Sequence, residues 1–296
     1  MTVFAHGGLF THALAHWTWE PVTLALLVLS AVLYGCGVRT LWARAGRGGG
    51  ITMWQAGAFS VGVAVLAIAL LSPLAWLSEV LFSAHMTQHE LLMLVAAPLL
   101  CFGRPLIAAL WAIPPAWRDN IGSLARRRGV VTIWRGVTSP LSVFLLHAVA
   151  LWVWHIPVLY EAALRSTGIH ALQHLSFVLT AALFWWGMMH GRYGRLGYGV
   201  AVLYVFLTAV HSSVLGALLT VAPALWYPTY RTAGAPWQID ALQDQQLAGL
   251  LMWVPAGVIF IVLGLALFAA WLGEAERRAA LGTVEQAAAG GRHVAS

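Results

Sequence analysis

Histidine occurs repeatedly in this sequence as a pair of residues four positions apart. Random placement of 12 histidines along 296 residues would give about 0.5 such pairs. Side chains four residues apart in a helix lie on one face, about one turn from each other, so two imidazoles with this spacing could bind one metal ion. The three pairs are His12/His16, His85/His89 and His170/His174.

The second pair lies in the sequence HMTQHE at 85–90, which interrupts an otherwise apolar stretch. Polar and ionisable side chains are costly inside a membrane segment, usually face the interior of the helix bundle and are candidates for function. Glu90 would have to be protonated or paired there. It could orient a ligating histidine, pair with an arginine or carry a proton.

The composition indicates an integral membrane protein. Hydrophobic residues make up 60% of the chain and charged residues 9%, with a mean hydropathy of +0.80. A soluble domain has about 25% charged residues. The two cysteines, Cys36 and Cys101, form no CxxC motif, which excludes a disulfide framework and a zinc or redox motif of that type.

Seven segments are long and apolar enough to span a membrane, for which about 20 mostly apolar residues are needed. Because lipid leaves backbone groups without hydrogen-bond partners, these segments are predicted to be helices and the fold class to be all-α. The predicted spans are 21–41, 52–72, 77–101, 138–156, 169–190, 198–221 and 245–271.

The arginines predict the orientation of this seven-helix bundle. All 16 basic residues are arginines, and the connections that are rich in arginine alternate with connections that are poor in it; Arg192 and Arg195 lie in the fifth. The positive-inside rule therefore places the N-terminus outside and the C-terminus in the cytoplasm. We interpret these arginines as topology signals and predict no nucleic-acid partner. The predicted parts are a periplasmic segment with a short interfacial helix (1–20), the membrane domain (21–273) and a disordered cytoplasmic tail (274–296).

With this orientation, ten of the 12 histidines fall in or above the outer leaflet. His85 would lie about 12 Å below the outer end of the third span, with His89 one turn deeper. His155 would lie at the outer end of the fourth span, with His147 about two turns below it, and the third pair would begin the fifth span. His211 would lie in the outer half of the sixth span.

Ligand chemistry favours copper over other metals for such a site. Imidazole suits copper, zinc and iron, whereas thioether sulfur selects Cu(I), and Met86 lies between the two histidines of the second pair. Haem is the alternative cofactor, because axial histidines on two facing helices would also fit a membrane b-type cytochrome.

Four strings together resemble the CtaG-like (Caa3/CtaG) cytochrome c oxidase assembly proteins of bacteria. They are HMTQHELLMLVAAPLL, WVWHIPVLYEAAL, HALQHLSFVLTAALFWW and DQQLAGLLMWVP. The resemblance covers most of the chain, from about the second to the seventh span. It implies a seven-span inner-membrane protein that takes part in the maturation of haem–copper oxidases, with copper delivery as the expected role. The matching positions are His85, Gln88, His89, His155, Pro157, His170, His174, Asp244, Gln245, Gln246, Met252 and Trp253.

The resulting hypothesis is a non-enzymatic assembly factor that binds Cu(I) in its outer half and delivers it to an oxidase. Its expected partners are cytochrome c oxidase subunits, periplasmic copper chaperones and membrane lipid, and its expected location is the bacterial inner membrane. A haem protein, a copper or proton transporter and a metal-free scaffold stay as alternatives. The predicted metal ligands are His85, His89, His170, His174, Met86 and His155. The residues predicted to support them or to carry protons are Glu90, Gln88, Asp244, Gln245, His211 and His147, and metal is predicted to enter past His12 and His16.

Overall fold

A computed structural model of the protein describes residues 9, 12–190 and 198–294, without the side chains of residues 198 and 279–294. These residues form helices and connections, and no strand occurs among them. The longer elements are α1 (Pro21–Ala45), α2 (Met53–Leu71), α3 (Pro73–Val80), α4 (Phe82–Phe102), α5 (Pro105–Ala112), α6 (Pro115–Ala125), α7 (Arg128–Val137), α8 (Pro140–Trp154), α9 (Pro157–Arg165), α10 (Thr167–His190), α11 (Tyr198–Thr220), α12 (Thr229–Gly234) and α13 (Ala241–Val294).

Within the described ranges, five helices are long and apolar enough to cross a membrane, or up to seven if each of two bent pairs forms one span. The bent pairs are α4 with α5, at 54°, and α7 with α8, at 56°. The seven predicted spans are the upper limit of this count. Helix α8 alone is too short, because its 15 residues rise only about 22 Å against a hydrocarbon core of about 30 Å.

The predicted third span, 77–101, is not one continuous helix, because α4 begins only at Phe82. Leu81 is extended, with φ −119° and ψ 126°, and separates α3 from α4. His85 therefore lies one turn from the start of its helix, and the depth of about 12 Å, which assumed a helix starting at residue 77, stays a prediction. Residues Leu91–Ala96 of α4 form a π-helical turn, which the sequence did not predict.

Side chains near the helix starts explain several of the boundaries. Glu20 accepts hydrogen bonds at the start of α1, and those from Thr23 hold the pKa of its carboxyl below its usual range. Thr52 and Gln55 form a capping box at the start of α2. Proline occupies the first position of α3, α5, α6, α8 and α9, where its missing N–H costs no hydrogen bond.

Two hydrophobic clusters hold the helices together. The larger one joins α4, α8, α10, α11 and α13, and the smaller one joins α1, α2 and α5. Small residues allow close approach: a Cβ on Gly249 of α13 would lie 2.6 Å from the carbonyl oxygen of Gly216 on α11. Many large apolar side chains on the outer surface stay exposed, as expected for a protein surrounded by lipid.

Helix α13 continues to Val294, through most of the tail for which disorder was predicted. Alanine, glutamate and arginine are strong helix formers and are frequent in this segment. Residues 1–8, 10 and 11 of the N-terminal segment, and the connection with Arg192 and Arg195, lie outside the described residues.

Candidate metal centre

Helices α4 and α10 bring two of the histidine pairs together in the interior of the bundle. The Nε2 atoms of His85 and His89 are 3.0 Å apart. The ring centroid of His85 lies 5.1 Å from that of His170 and 6.0 Å from that of His174. The centroids of His89 and His174 are 5.2 Å apart. We call this set of four residues the four-histidine cluster.

The ring nitrogens of the four-histidine cluster could act as metal ligands. One such atom from each of His85, His170 and His174 lies within 4.8 Å of the other two. Two nitrogens bound to a tetrahedral metal at about 2.0–2.1 Å are about 3.3 Å apart, so the side chains would need to approach by at most about 1.5 Å.

Buried nitrogens without hydrogen-bond partners support this assignment. Among the described residues, His89 Nδ1, His170 Nε2 and His174 Nε2 are buried without a partner. A buried polar atom without a partner is costly, and an ion is one of its ordinary explanations. The donor set is therefore compatible with a bound metal.

The hydrogen bonds around His85 place its lone pair on Nε2, where it accepts from His89 Nε2 at 3.0 Å. Tyr230 Oη lies 3.1 Å from His85 Nδ1 and donates its single hydrogen to the Ser78 carbonyl, also at 3.1 Å. His85 Nδ1 must then be the donor to Tyr230, which assigns the Nδ1–H tautomer from the network. The lone pair of His85 is consequently on Nε2, which faces His89.

Three tyrosines were missed by the sequence analysis: Tyr160 and Tyr230 contact His85, and Tyr227 packs against Tyr160. Tyr160 Oη lies 3.1 Å from Tyr230 Oη, and Tyr227 Oη donates to the His155 carbonyl at 2.9 Å. The rings of Tyr160 and Tyr227 have centroids 4.2 Å apart. The available signal was the string WYPTY at 226–230, which puts two phenols three residues apart in a connection between spans.

Asp244 holds the start of α4, and its hydrogen bonds in the described structure go to Phe82 and Ser83 and not to the four-histidine cluster. Leu81, at the N-cap position of α4, makes no side-chain capping bond. The Asp244 carboxylate, on α13, accepts instead from Phe82 N at 2.6 Å and from the amide and hydroxyl of Ser83. Its role in the structure is to fix the turn that carries His85.

The two predicted glutamines also contact backbone away from the histidines. Gln245 accepts from Trp226 N at 2.7 Å and donates to the Ala224 carbonyl at 3.2 Å. Gln88 donates to the Ala69 carbonyl at 2.7 Å, which ties α4 to α2. Both side chains therefore position helices and the 222–226 connection.

His155 and Met86 lie close to the cluster in sequence or space but differ from its members. His155 donates from Nδ1 to the Leu151 carbonyl at 2.7 Å, and its buried Nε2 has no partner among the described residues. Its ring lies 6.3 Å from Phe177, which also contacts His89. Met86 is buried in the larger hydrophobic cluster, and helix geometry turns it about 100° from His85.

Among the predicted supporting residues, Glu90 and His147 line one small cavity, and His211 lies next to His147. Glu90 Oε2 is buried without a hydrogen-bond partner among the described residues, as are both ring nitrogens of His211. The ring centroids of His147 and His211 are 6.0 Å apart. His147 Nδ1 contacts Thr180 Oγ1 at 3.2 Å.

His12 and His16 form an aromatic group at the surface with two tryptophans. Their imidazoles stack at a centroid distance of 4.3 Å. His12 lies 5.3 Å from Trp76 and 5.4 Å from Trp237. Trp76 is on α3 and Trp237 follows α12, and these two helices also carry Ser78 and Tyr230 next to His85.

Comparison with known proteins agrees with the resemblance seen in the sequence. The model of the family described as "Cytochrome c oxidase caa3 assembly factor (Caa3_CtaG)" matches residues 32–274. Uncharacterised proteins of Mycobacterium bovis and Mycobacterium tuberculosis are each 25% identical over 268 residues, which are 86% of this chain and 39% of theirs. One from Mycobacterium leprae is 25% identical over 257 residues, which are 83% of this chain and 38% of that protein. The chain thus spans about two fifths of the length of these relatives. No solved structure matches the chain.

Since the family model covers most of the chain and all four of the sequence strings, the protein belongs to the cytochrome c oxidase caa3 assembly factor family.

Proposed function

We propose that this assembly factor binds Cu(I) at the four-histidine cluster and delivers it to cytochrome c oxidase during assembly. The observation that supports this proposal most directly is the convergence of four imidazoles, two of them fully buried and two half-buried. Three of the four have a buried nitrogen without a hydrogen-bond partner among the described residues. Imidazole binds copper, zinc and iron, so the metal has to be chosen on further grounds.

Charge favours a monovalent ion at this position. The cluster contains neutral imidazoles and no carboxylate, so a bound ion keeps its full charge in an apolar interior. The cost of moving an ion out of water rises steeply with its charge, which disfavours Zn²⁺ and Fe²⁺ relative to Cu(I). Neutral nitrogen ligands are also sufficient for copper.

The packing disfavours haem. The ring centroids within the cluster are 4.2–6.0 Å apart across neighbouring pairs, so the imidazoles contact one another. Two axial ligands of haem need a macrocycle between them. Binding haem here would require α4 and α10 to separate.

The surface group of His12, His16, Trp76 and Trp237 provides a place where copper would first bind. It combines two imidazoles with two indole rings, whose faces attract cations. We place this end of the bundle in the periplasm, as the arginine pattern predicts, where copper chaperones and the oxidase would reach it. The protein would accordingly reside in the bacterial inner membrane.

Metal analysis of the purified protein tests the proposal. The protein would be isolated anaerobically and its copper, iron and zinc quantified, together with a His85→Ala/His89→Ala variant. His190→Ala is the matched control, because His190 stacks on Trp186 and lies outside the cluster. We expect copper in the wild type and in the control and a loss of copper in the double variant.

Equal copper content in the wild type and the double variant would exclude this site. Iron with a Soret absorption band that disappears in the double variant would instead establish haem binding. If the oxidase still assembles with its normal copper content in cells that carry only the double variant, the protein is supported as a metal-free scaffold.

A further inference from the structure

A second group of metal-binding side chains lies below the four-histidine cluster, around a small internal cavity. The cavity measures about 30 Å³ and lies between α4, α8, α10, α11 and α13. Most of its lining is apolar. The side chains with donor atoms are Glu90, Met93, His147, Ser212 and Met252.

The size and the chemistry of the cavity restrict what could occupy it. A volume of about 30 Å³ is sufficient for one or two water molecules or a single ion. Two thioethers are poor partners for water, because their sulfur atoms accept hydrogen bonds only weakly. Thioether and imidazole together are typical ligands of Cu(I).

The hydrogen bonds of His147 leave it able to bind a metal. Its Nδ1 atom lies 3.2 Å from Thr180 Oγ1, and this hydroxyl donates to the Ser176 carbonyl at 2.9 Å. With that hydrogen used, His147 Nδ1 is the donor to Thr180, and the lone pair is on Nε2. A hydrogen bond made by the ring nitrogen that does not bind the metal fixes the tautomer of a ligating histidine.

The π-helical turn of α4 places Met93 at the cavity. Met93 lies within Leu91–Ala96, where the ladder of backbone hydrogen bonds is shifted, and Trp185 Nε1 donates to the Met93 carbonyl at 2.9 Å. Such turns are frequent at functional sites because they change the direction of one side chain. Met252, on α13, is buried at the same cavity.

Glu90 adds charge balance to this group. Its Oε2 atom is buried without a hydrogen-bond partner among the described residues, and the side chain lines the cavity. One carboxylate and one monovalent cation together carry no net charge, which lowers the cost of burying both.

We propose that Met93, Met252 and His147, with Glu90 as counter-charge, form a second Cu(I) site, which we call the inner site. Glu90 directly follows His89, so the inner site adjoins the four-histidine cluster along α4. The inner site uses different ligands from the cluster and does not depend on metal binding there. Two adjoining sites would let the bundle hold two copper ions, one of them with sulfur ligands.

Anaerobic titration of the full-length protein in detergent with Cu(I), against a chromophoric chelator, tests the inner site. X-ray absorption at the copper edge then reports whether sulfur is a ligand. We expect two equivalents of Cu(I) per chain and a sulfur shell in the wild type. A Met93→Leu/Met252→Leu variant should bind one equivalent fewer and lose the sulfur shell. Leucine has nearly the volume of methionine, so the fold is expected to tolerate this change.

The controls separate the two sites. Met53→Leu/Met189→Leu changes two exposed methionines away from the cavity and should bind as the wild type does. His85→Ala/His89→Ala should lose one equivalent and keep the sulfur shell. If the wild type binds one equivalent with a sulfur shell and the histidine substitutions change neither, the four-histidine cluster is rejected as a copper site and the inner site is retained.

Three results would overturn the inner site. They are the absence of sulfur scattering in the wild type, an unchanged sulfur shell in Met93→Leu/Met252→Leu, and loss of sulfur in Met86→Leu alone, which would assign the thioether to the four-histidine cluster. If the double methionine variant does not fold, as judged by size-exclusion chromatography, His147→Gln replaces it. That variant should also bind one equivalent fewer, and unchanged stoichiometry in it would reject the inner site.

Discussion

Replacing Tyr230 with phenylalanine is expected to weaken copper binding without removing a proposed ligand. The Tyr230 hydroxyl contacts His85 Nδ1 at 3.1 Å and the Ser78 carbonyl at 3.1 Å, both in the interior. Tyr230→Phe keeps the ring and removes only the oxygen. His85 then loses the contact that holds its tautomer and its orientation, so Tyr230 is a positioning residue.

The size of the effect follows from these contacts. Loss of a partner that orients a ligating histidine typically costs 10- to 100-fold in metal affinity, or about 1.4–2.7 kcal/mol. The same substitution leaves the Ser78 carbonyl and the His85 N–H without their partner, at about 1–3 kcal/mol of folding stability for each group.

Tyr227→Phe is the matched control. It removes a hydroxyl from the same group of aromatic residues, but that hydroxyl donates only to the His155 carbonyl, at 2.9 Å. Copper affinity in this variant should stay within about threefold of the wild type, because His85 keeps its hydrogen bond.

Competition titration of Cu(I) against a chelator, with wild type and both variants in the same detergent, measures the difference. Thermal unfolding of the metal-free proteins gives the accompanying change in stability. Equal dissociation constants for Tyr230→Phe and Tyr227→Phe would refute the reasoning, because the two variants differ chiefly in the contact to His85.

Three further predictions concern the fold. Asp244→Ala should lower the free energy of unfolding by about 1–3 kcal/mol, because α4 loses its cap. Asp240→Ala, which removes an exposed cap, should lower it less. Equal losses in thermal unfolding would contradict a special role for Asp244. Gly249→Ala should lower the unfolding temperature, because the added Cβ meets the Gly216 carbonyl at 2.6 Å. Gly264→Ala, which has open space around it, should leave the unfolding temperature unchanged. A larger decrease for Gly264→Ala than for Gly249→Ala would refute the close packing of α11 on α13. In a cysteine-free background, a membrane-impermeant maleimide should label Asp240→Cys and not Asp119→Cys in intact cells, and the opposite pattern would invert the proposed orientation.

The sequence was sufficient for the features that depend on local composition and periodicity. Its hydropathy indicated a membrane protein of helices, and the spacing of four between His85 and His89 and between His170 and His174 placed each pair on one helix face. The family resemblance was confirmed by the match over residues 32–274. The number of spans follows less directly, because α8 is shorter than a bilayer and is bent against α7.

The boundaries of α4 could not be predicted from a hydropathy profile. Leucine at position 81 is as apolar as its neighbours, yet the helix begins after it. The group that fixes this start is the carboxylate of Asp244, 162 residues away from Phe82 in the chain. A helix cap is usually sought within a few residues of the helix start, and this one is supplied by another helix.

What the sequence determined by itself was therefore the class of protein, the helical pairs of histidines and the family. Only the tertiary structure decided that α4 and α10 meet through these histidines, that Tyr230 binds His85, and that Glu90, Met93, His147 and Met252 surround one cavity. The physical reason is that hydropathy and helical periodicity arise from neighbouring residues, whereas a ligand set arises from helix packing. Packing depends on contacts between residues that are far apart in the chain, and no local pattern records them.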